Sequence, residues 1–265
     1  MLKHEKEINR IFEIFQTSEC ELRPHFILTG ASGTGKSFTI KQLTEKYDLG
    51  YLEINAAALT KEGTSGNSLS KALSPLGNMG NKPTICFVDE FDKLFISGNH
   101  NSDLAHETTN GVQNEFLKVL ESDTASVFGD YGKYVNIPVK NVLFIFAGAF
   151  NGEEDIDIDR LREIGIKTEF LGRVGLTFST EQITLERIIQ TMKDSQILEN
   201  YLNLFKDVER SLVEEVLTIQ LTEAFEQNTL GFRLITTLIH QYFISGGKST
   251  DEDVKKVTFS KSLTL

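Results

Sequence analysis

The run Gly30-Ala31-Ser32-Gly33-Thr34-Gly35-Lys36-Ser37 sets three glycines just ahead of a lysine and a hydroxyl. Glycines let successive backbone N–H groups turn inward and form a concave anion site; a lysine adds positive charge to it and a serine adds a hard oxygen ligand. That chemistry fits a nucleoside triphosphate with its divalent cation. The spacing predicts that the loop residues Gly30, Ala31, Ser32, Gly33, Thr34 and Gly35, with Lys36, Ser37 and Phe38, hold the phosphates of ATP. Lys36 would reach the β- and γ-phosphates, and the Ser37 hydroxyl would ligate Mg2+. Further along, Ile85-Cys86-Phe87-Val88 runs into Asp89-Glu90, which supplies the acid that such a site needs.

These residues must be positioned by strands and helices. Pro24 to Thr29 is an extended apolar lead-in, and Phe38, Ile40 and Leu43 recur at helical intervals, so the glycines sit between a strand and a helix N-terminus, where the dipole favours phosphate. Ile85 to Val88 reads as a buried parallel strand whose carboxyl end presents Asp89 and Glu90. Tyr51 to Asn55 alternates as a strand, and Val142 to Phe150 is too apolar for a surface strand. Ile8, Ile11, Phe12 and Phe15 predict an amphipathic helix ahead of the first strand, and a further helix is expected over Asp103 to Glu121. The glycine- and serine-rich stretch Glu62 to Asn81 is expected to be mobile, with a weak helical signal near Leu69 to Leu76.

This alternation predicts a doubly wound α/β domain over residues 1–179. From Thr180 the apolar pattern is helical alone: Leu185, Ile188, Ile189 and Met192; Leu198, Tyr201, Leu202 and Phe205; Leu212, Val213, Val216, Leu217 and Leu221; then Leu234, Ile235, Leu238, Ile239 and Tyr242. A small helical domain is expected over 180–246, then a polar tail over 247–265 with a possible short strand at Val257 to Phe259.

The net charge of −11 disfavours general affinity for a nucleic-acid backbone, and no run of eighteen apolar residues could span a membrane. The charged start, Leu2-Lys3-His4-Glu5-Lys6-Glu7, is unlike a secretory leader, and the two cysteines, Cys20 and Cys86, are not placed for a metal or a disulfide. A cytoplasmic protein without a zinc site is expected.

Taken in order, the motifs resemble the AAA+ ATPases, and within them the ClpX-type ring unfoldases of the Clp/HslU branch. Val88-Asp89-Glu90-Phe91-Asp92-Lys93-Leu94 is similar to the family's "DEIDK"; Gly111-Val112-Gln113 recurs before the following helix; Leu143 to Phe150 is similar to "LFI-x-x-GAF"; Glu169-Phe170-Leu171-Gly172-Arg173 is similar to "PEFIGR"; and Gly231-Phe232-Arg233 is similar to "GAR". The resemblance covers roughly residues 20–245. It implies a P-loop fold with a helical lid, a homo-oligomeric ring of hexameric type, and ATP hydrolysis. Asp89 would hold the Mg2+ shell and Glu90 would orient or deprotonate the attacking water. Arg173 would be an arginine finger acting on a neighbour's ATP, with Arg160 and Arg162 as nearby competitors. Arg233 would be the lid sensor, and Asn151 is a candidate γ-phosphate sensor beyond the strand end. Asp92 and Lys93 are expected to form a structural charge pair or a subunit contact.

The resemblance also has gaps. The peptide-gripping pore loop, similar to "GYVG", corresponds here to Gly63-Thr64-Ser65-Gly66, with Thr64 in place of the aromatic. No cysteine-rich zinc segment precedes the core, and Phe150 to Arg173 is too short for the family's protease-docking "IGF" loop, so no protease partner is expected. The insertion between Glu121 and Lys140 carries Phe128, Tyr131 and Tyr134, which read as surface aromatics or as a substrate contact. The expected function is an ATP-hydrolysing ring that remodels or moves a protein substrate or adaptor. A nucleic-acid motor or loader of replication, recombination or packaging, and a nucleotide-switched scaffold, are the alternatives.

Overall fold

A computed structural model of the chain describes residues 3–61, 66–95, 103–129, 132–153, 156–181 and 183–246. Thr64, Tyr131 and the tail with its possible strand at Val257 to Phe259 lie outside them. The chain divides into two compact units, one of Met1–Ala31 and Lys36–Glu181, the other of Ser32–Gly35 and Gln182–Leu265.

The first unit is built on five parallel strands: β1 (Phe26–Thr29), β2 (Gly50–Asn55), β3 (Thr84–Asp89), β6 (Val142–Gly148) and β7 (Leu176–Ser179), in the order β2-β3-β6-β1-β7. Because strand side chains alternate between faces, each buried strand contributes to two cores. Phe26, Leu28, Ile85, Phe87, Leu143, Ile145 and Ala147 meet the apolar stripes of α1 (Lys3–Thr17) and α2 (Lys36–Lys46). Ile27, Leu52, Ile54, Cys86, Val88, Phe144 and Phe146 face the opposite layer, with α3 (Leu69–Ala72), α4 (Asp103–Glu121), α5 (Ile158–Ile164) and α6 (Thr168–Arg173). Covering both faces makes the sheet doubly wound, as the alternation of elements predicts.

Three details depart from the sequence reading. The edge strand β7 was not anticipated, because four half-exposed residues carry too little apolar pattern to announce a strand. The strand beginning at Val142 ends at Gly148, since Ala149 turns helical and Phe150 has φ +46°. The described part of the glycine- and serine-rich stretch is anchored to the core at three leucines. Leu69, Leu73 and Leu76 are buried, on α3 and a 3-10 turn over Ser74–Asn78, because three leucines provide enough apolar area to fix a short segment.

The insertion after α4 is an antiparallel hairpin of β4 (Thr124–Phe128) and β5 (Tyr134–Pro138). Ala125, Val127 and Ile137 point to the core, which leaves Phe128 and Tyr134 exposed and edge to face, 5.8 Å apart. Lys71 Nζ stands 5.5 Å from the centre of the Phe128 ring.

The second unit holds α7 (Leu185–Lys193), α8 (Gln196–Leu204), α9 (Arg210–Ala224) and α10 (Arg233–Ile244) around a core that includes Ile188, Leu198, Leu217, Leu238 and Ile239. Thr184 caps α7 by accepting from the Arg187 N–H. Leu212, which the sequence pattern assigns to this apolar set, is half exposed. Among the described residues, no helix is long and apolar enough to cross a membrane.

Candidate active site

In the first unit, the start of the phosphate loop is held by the strand that the sequence hid. The Thr180 N–H, just past β7, donates to Thr29 O at 2.8 Å, and Thr29 Oγ1 meets Ser179 Oγ at 2.8 Å. Thr180 packs so tightly on Gly30 that a Cβ there would lie 1.8 Å from its hydroxyl, and Gly30 has φ +141°. The first glycine is therefore required both for space and for backbone angle.

Lys36 opens α2 and is 9 % exposed, with Nζ donating to Gly30 O at 2.5 Å and Ala31 O at 2.9 Å. The ammonium is thus folded back over the loop, held by its carbonyls. Ser37 Oγ donates to Asp89 Oδ2 at 3.5 Å, and Asp89 Oδ1 accepts from the Glu90 N–H at 2.9 Å. Burial pushes the Asp89 carboxyl above the ordinary carboxylate range, opposed by that backbone hydrogen bond and by the charge of Lys36. Glu90 takes a left-handed conformation, φ +55°, and its side chain is exposed. The strand thus ends in one half-buried acid and one free to face solvent. Phe38, on the first turn of α2, is 59 % exposed.

Asn151 lies in the turn after β6, exposed and with φ +57°. Arg173 ends α6 and pairs with Glu121 at the end of α4, its Nε at 3.0 Å and Nη2 at 2.8 Å from Glu121 Oε1. Its competitors are tied up locally: Arg160 forks onto Glu153 and also meets Glu163, and Arg162 pairs with Asp159. Gln113, fully buried on α4, donates to Gly165 O at 3.1 Å and accepts from the Lys167 N–H at 3.0 Å, which fixes the link into α6. The sequence marks Gln113 only through the family motif, since a helical glutamine carries no signal of this role.

Within the second unit, Ser32–Gly35 meet the segment that leads into α10. The Phe232 N–H donates to Gly33 O at 2.9 Å, a Cβ on Gly33 would lie 2.2 Å from Leu230 O, and one on Gly231 would lie 2.4 Å from Gly33 O. The two backbones cross where only glycines fit. Arg233 Nη1 then reaches Ser32 Oγ at 3.2 Å. Asn228, which the sequence reading missed, braces this turn: its Oδ1 accepts from the Leu230 and Gly231 N–H groups and its Nδ2 donates to Gly231 O. An Asn three residues ahead of a turn glycine is its one sequence signal.

The donor set suits Mg2+ and phosphate. A hydroxyl and a carboxyl close together are the hard oxygens that Mg2+ takes, and α2 offers its N-terminal N–H groups beside an ammonium.

The chain is similar to the ATP-dependent Clp protease ATP-binding subunit ClpX of Treponema denticola, 23 % identical over 84 % of this chain and 65 % of that protein. It is 30 % identical to the ClpX subunits of Bacteroides thetaiotaomicron and Bacteroides fragilis, over 52 % of this chain and 36 % of theirs. The chain thus spans between about a third and just under two thirds of the length of these relatives. The core is ClpX-like, in keeping with the motif resemblance. Residues 26–169, just over half of the chain, match the model of the ATPase family associated with various cellular activities (AAA), and the chain belongs to that family.

Proposed function

We propose that this chain is a Mg2+-dependent, ATP-hydrolysing subunit of a homo-oligomeric, hexamer-type ring that remodels or moves a protein partner without an attached protease. The observation that carries the hydrolytic part is the approach of Ser37 and Asp89 beside an exposed Glu90. Lys36 and the N–H groups of Gly30 to Gly35 bind the phosphates, while Ser37 and Asp89 hold Mg2+. The metal, when bound, neutralises charge on the phosphoryl oxygens. Glu90 orients or deprotonates the attacking water. Asn151 senses the γ-phosphate, Arg233 acts as a sensor arginine, and Arg173 serves the ATP of the neighbouring subunit. Charge spreading over the γ-phosphoryl oxygens makes such positioning and cations the main source of rate.

The acidic overall charge supports a protein partner over nucleic acid. The exposed Phe128 and Tyr134 on the β4–β5 hairpin are a surface for it, next to a groove of about 500 Å³ lined by Lys61, Lys118 and Tyr134. The cytosol is the proposed location, in keeping with two buried free thiols.

The test is Glu90→Gln. It should retain nucleotide binding and oligomerisation and lower turnover by about 100-fold or more; normal turnover sinks the assignment. Stimulation of the parent ATPase by an unfolded protein supports the remodelling reading, stimulation by DNA with a steep salt dependence supports a nucleic-acid motor, and nucleotide-driven assembly with little turnover supports a scaffold.

A further inference from the structure

Asp92 is 1 % exposed, in a segment whose neighbours Phe91 and Phe95 are core residues. Burying a carboxyl there is costly unless its oxygens are bonded. Its Oδ2 accepts from the Phe150 N–H at 3.2 Å and lies 3.7 Å from Lys93 Nζ. Oδ1 is buried without a hydrogen-bond partner. An apolar residue would fill the same space without leaving an oxygen unsatisfied, so packing alone does not account for an acid at this position.

Gly148, at the end of β6, carries the complementary mark. A Cβ there would lie 2.7 Å from Asp92 Oδ1 and 2.7 Å from the Phe150 ring, so the strand end is kept bare to admit the carboxyl. Two non-glycine residues of the backbone that Asp92 grips hold left-handed angles in succession, Phe150 at φ +46° and Asn151 at φ +57°. Non-glycine residues hold left-handed angles only where their surroundings enforce them, and such strain gathers at functional sites. On its own side of the bond, Asp92 sits in the 3-10 turn that Glu90 opens at φ +55°, closed by the Lys93 N–H on Glu90 O at 3.0 Å. One side chain thus joins the turn that presents Glu90 to the turn that presents Asn151.

We propose that Asp92 is a positioning residue of the hydrolytic site, whose hydrogen bond to the Phe150 backbone fixes Glu90 and Asn151 relative to one another. This rests on the reading of Glu90 and Asn151 as the groups that face the attacking water and the γ-phosphate. Asp92, at 1 % exposure, acts through the two turns. Its loss therefore lowers the rate of the chemical step and leaves nucleotide affinity alone, because the phosphate loop is not part of the clamp.

The full chain carrying Asp92→Ala is compared with the parent in ATP turnover and in titration with a fluorescent ADP analogue. The expected result is a fall in kcat of about tenfold or more, the scale of a modest misplacement of a reacting group, with affinity within about threefold. Asp92→Asn keeps an oxygen for the Phe150 N–H and should recover most of that loss. Gly148→Ala displaces the carboxyl without removing it and should reproduce the fall; it carries the test if Asp92→Ala does not fold. Turnover at the parent level in either folded variant overturns the proposal, as does an Asp92→Asn protein no better than Asp92→Ala, or an affinity that falls in step with kcat. The reading beneath it fails separately: normal turnover in Glu90→Gln removes the site itself, whereas an inactive Glu90→Gln beside a fully active Asp92→Ala removes only the clamp.

Discussion

Ser37 Oγ and Asp89 Oδ2 stand 3.5 Å apart, one on the first turn of α2 and the other at the last residue of β3. Fifty-two positions separate them in the chain, and the sheet brings them together because β6 alone lies between β1, which leads into the phosphate loop, and β3. A hydroxyl paired with a half-buried carboxyl has the ligand chemistry of a Mg2+ site.

Asp89→Asn should reduce Mg2+-dependent ATP turnover by roughly 100-fold or more, while ADP binding in the presence of a chelator stays within about twofold, since the loop that holds the phosphates is untouched. Because burial raises the Asp89 carboxyl, protons compete with the metal there more than at an exposed carboxylate. The apparent affinity for Mg2+ should therefore rise with pH in the parent protein, and rise less in the Asn variant, where the terminal phosphate of ATP still titrates but residue 89 does not. Titration of turnover against Mg2+ at about pH 5 and about pH 7 makes the comparison.

Arg173→Ala removes an exposed ion pair with Glu121. Such pairs add little to stability, so the melting temperature should move by no more than about 3 °C. Turnover should nevertheless fall by on the order of a thousandfold, the scale of an arginine finger. Mixed with parent subunits, the variant should depress hydrolysis more than in proportion to its share. Simple dilution behaviour, or full activity in a strictly monomeric protein, defeats the role.

Gly231→Ala places a methyl 2.4 Å from Gly33 O, at a residue with φ +61°. The clash is with backbone and has no flexible side chain to absorb it, so the crossing of the two segments must open. Loss of nucleotide affinity by about tenfold or more is expected from displaced loop N–H groups and a displaced Arg233. A variant that binds a fluorescent ADP analogue as the parent does would show that this crossing has no part in binding.

His25 is 7 % exposed and accepts the Phe144 N–H on Nδ1 at 3.0 Å, and burial, with a smaller contribution from the charge of Arg23, lowers its pKa to about 3. The folded state therefore holds a neutral ring where an unfolded chain takes up a proton below about pH 6.5. Stability from this group is complete above that pH and declines as pH falls toward about 3, by at most about 1.4 kcal/mol per unit. Urea unfolding of the parent should show that extra slope, and His25→Gln should reduce it; equal slopes in the two proteins would falsify the assignment.

The sequence by itself determined the nucleotide chemistry and the fold class. Glycine spacing, a lysine and a serine at the helix start, and an acid pair after four apolar residues are local patterns, and backbone geometry translates them directly into strand, loop and helix. Uninterrupted apolar runs such as Val142 to Ala147 announced buried strands because both faces of each are covered. The four helices after Thr180 were legible for the same reason, from stripes that one side of a helix must bury.

Only the tertiary structure decided what those patterns are set against. The half-exposed edge strand β7 has almost no pattern of its own, and its pairing with β1 brings Thr180 onto Gly30. Asp92 reads in sequence as half of a structural charge pair or subunit contact with Lys93, yet it is buried against Gly148 and bonded to the Phe150 backbone. Gln113 likewise acts through hydrogen bonds to the distant backbone of Gly165 and Lys167, which follow no spacing rule. Spacing along a chain fixes which side chains share a face of a helix or strand; which distant backbone atom meets a side chain is set by how the elements pack. For that reason the residues proposed to meet phosphate and metal are legible in the loop and at the strand end, whereas those that brace them are visible only in the fold.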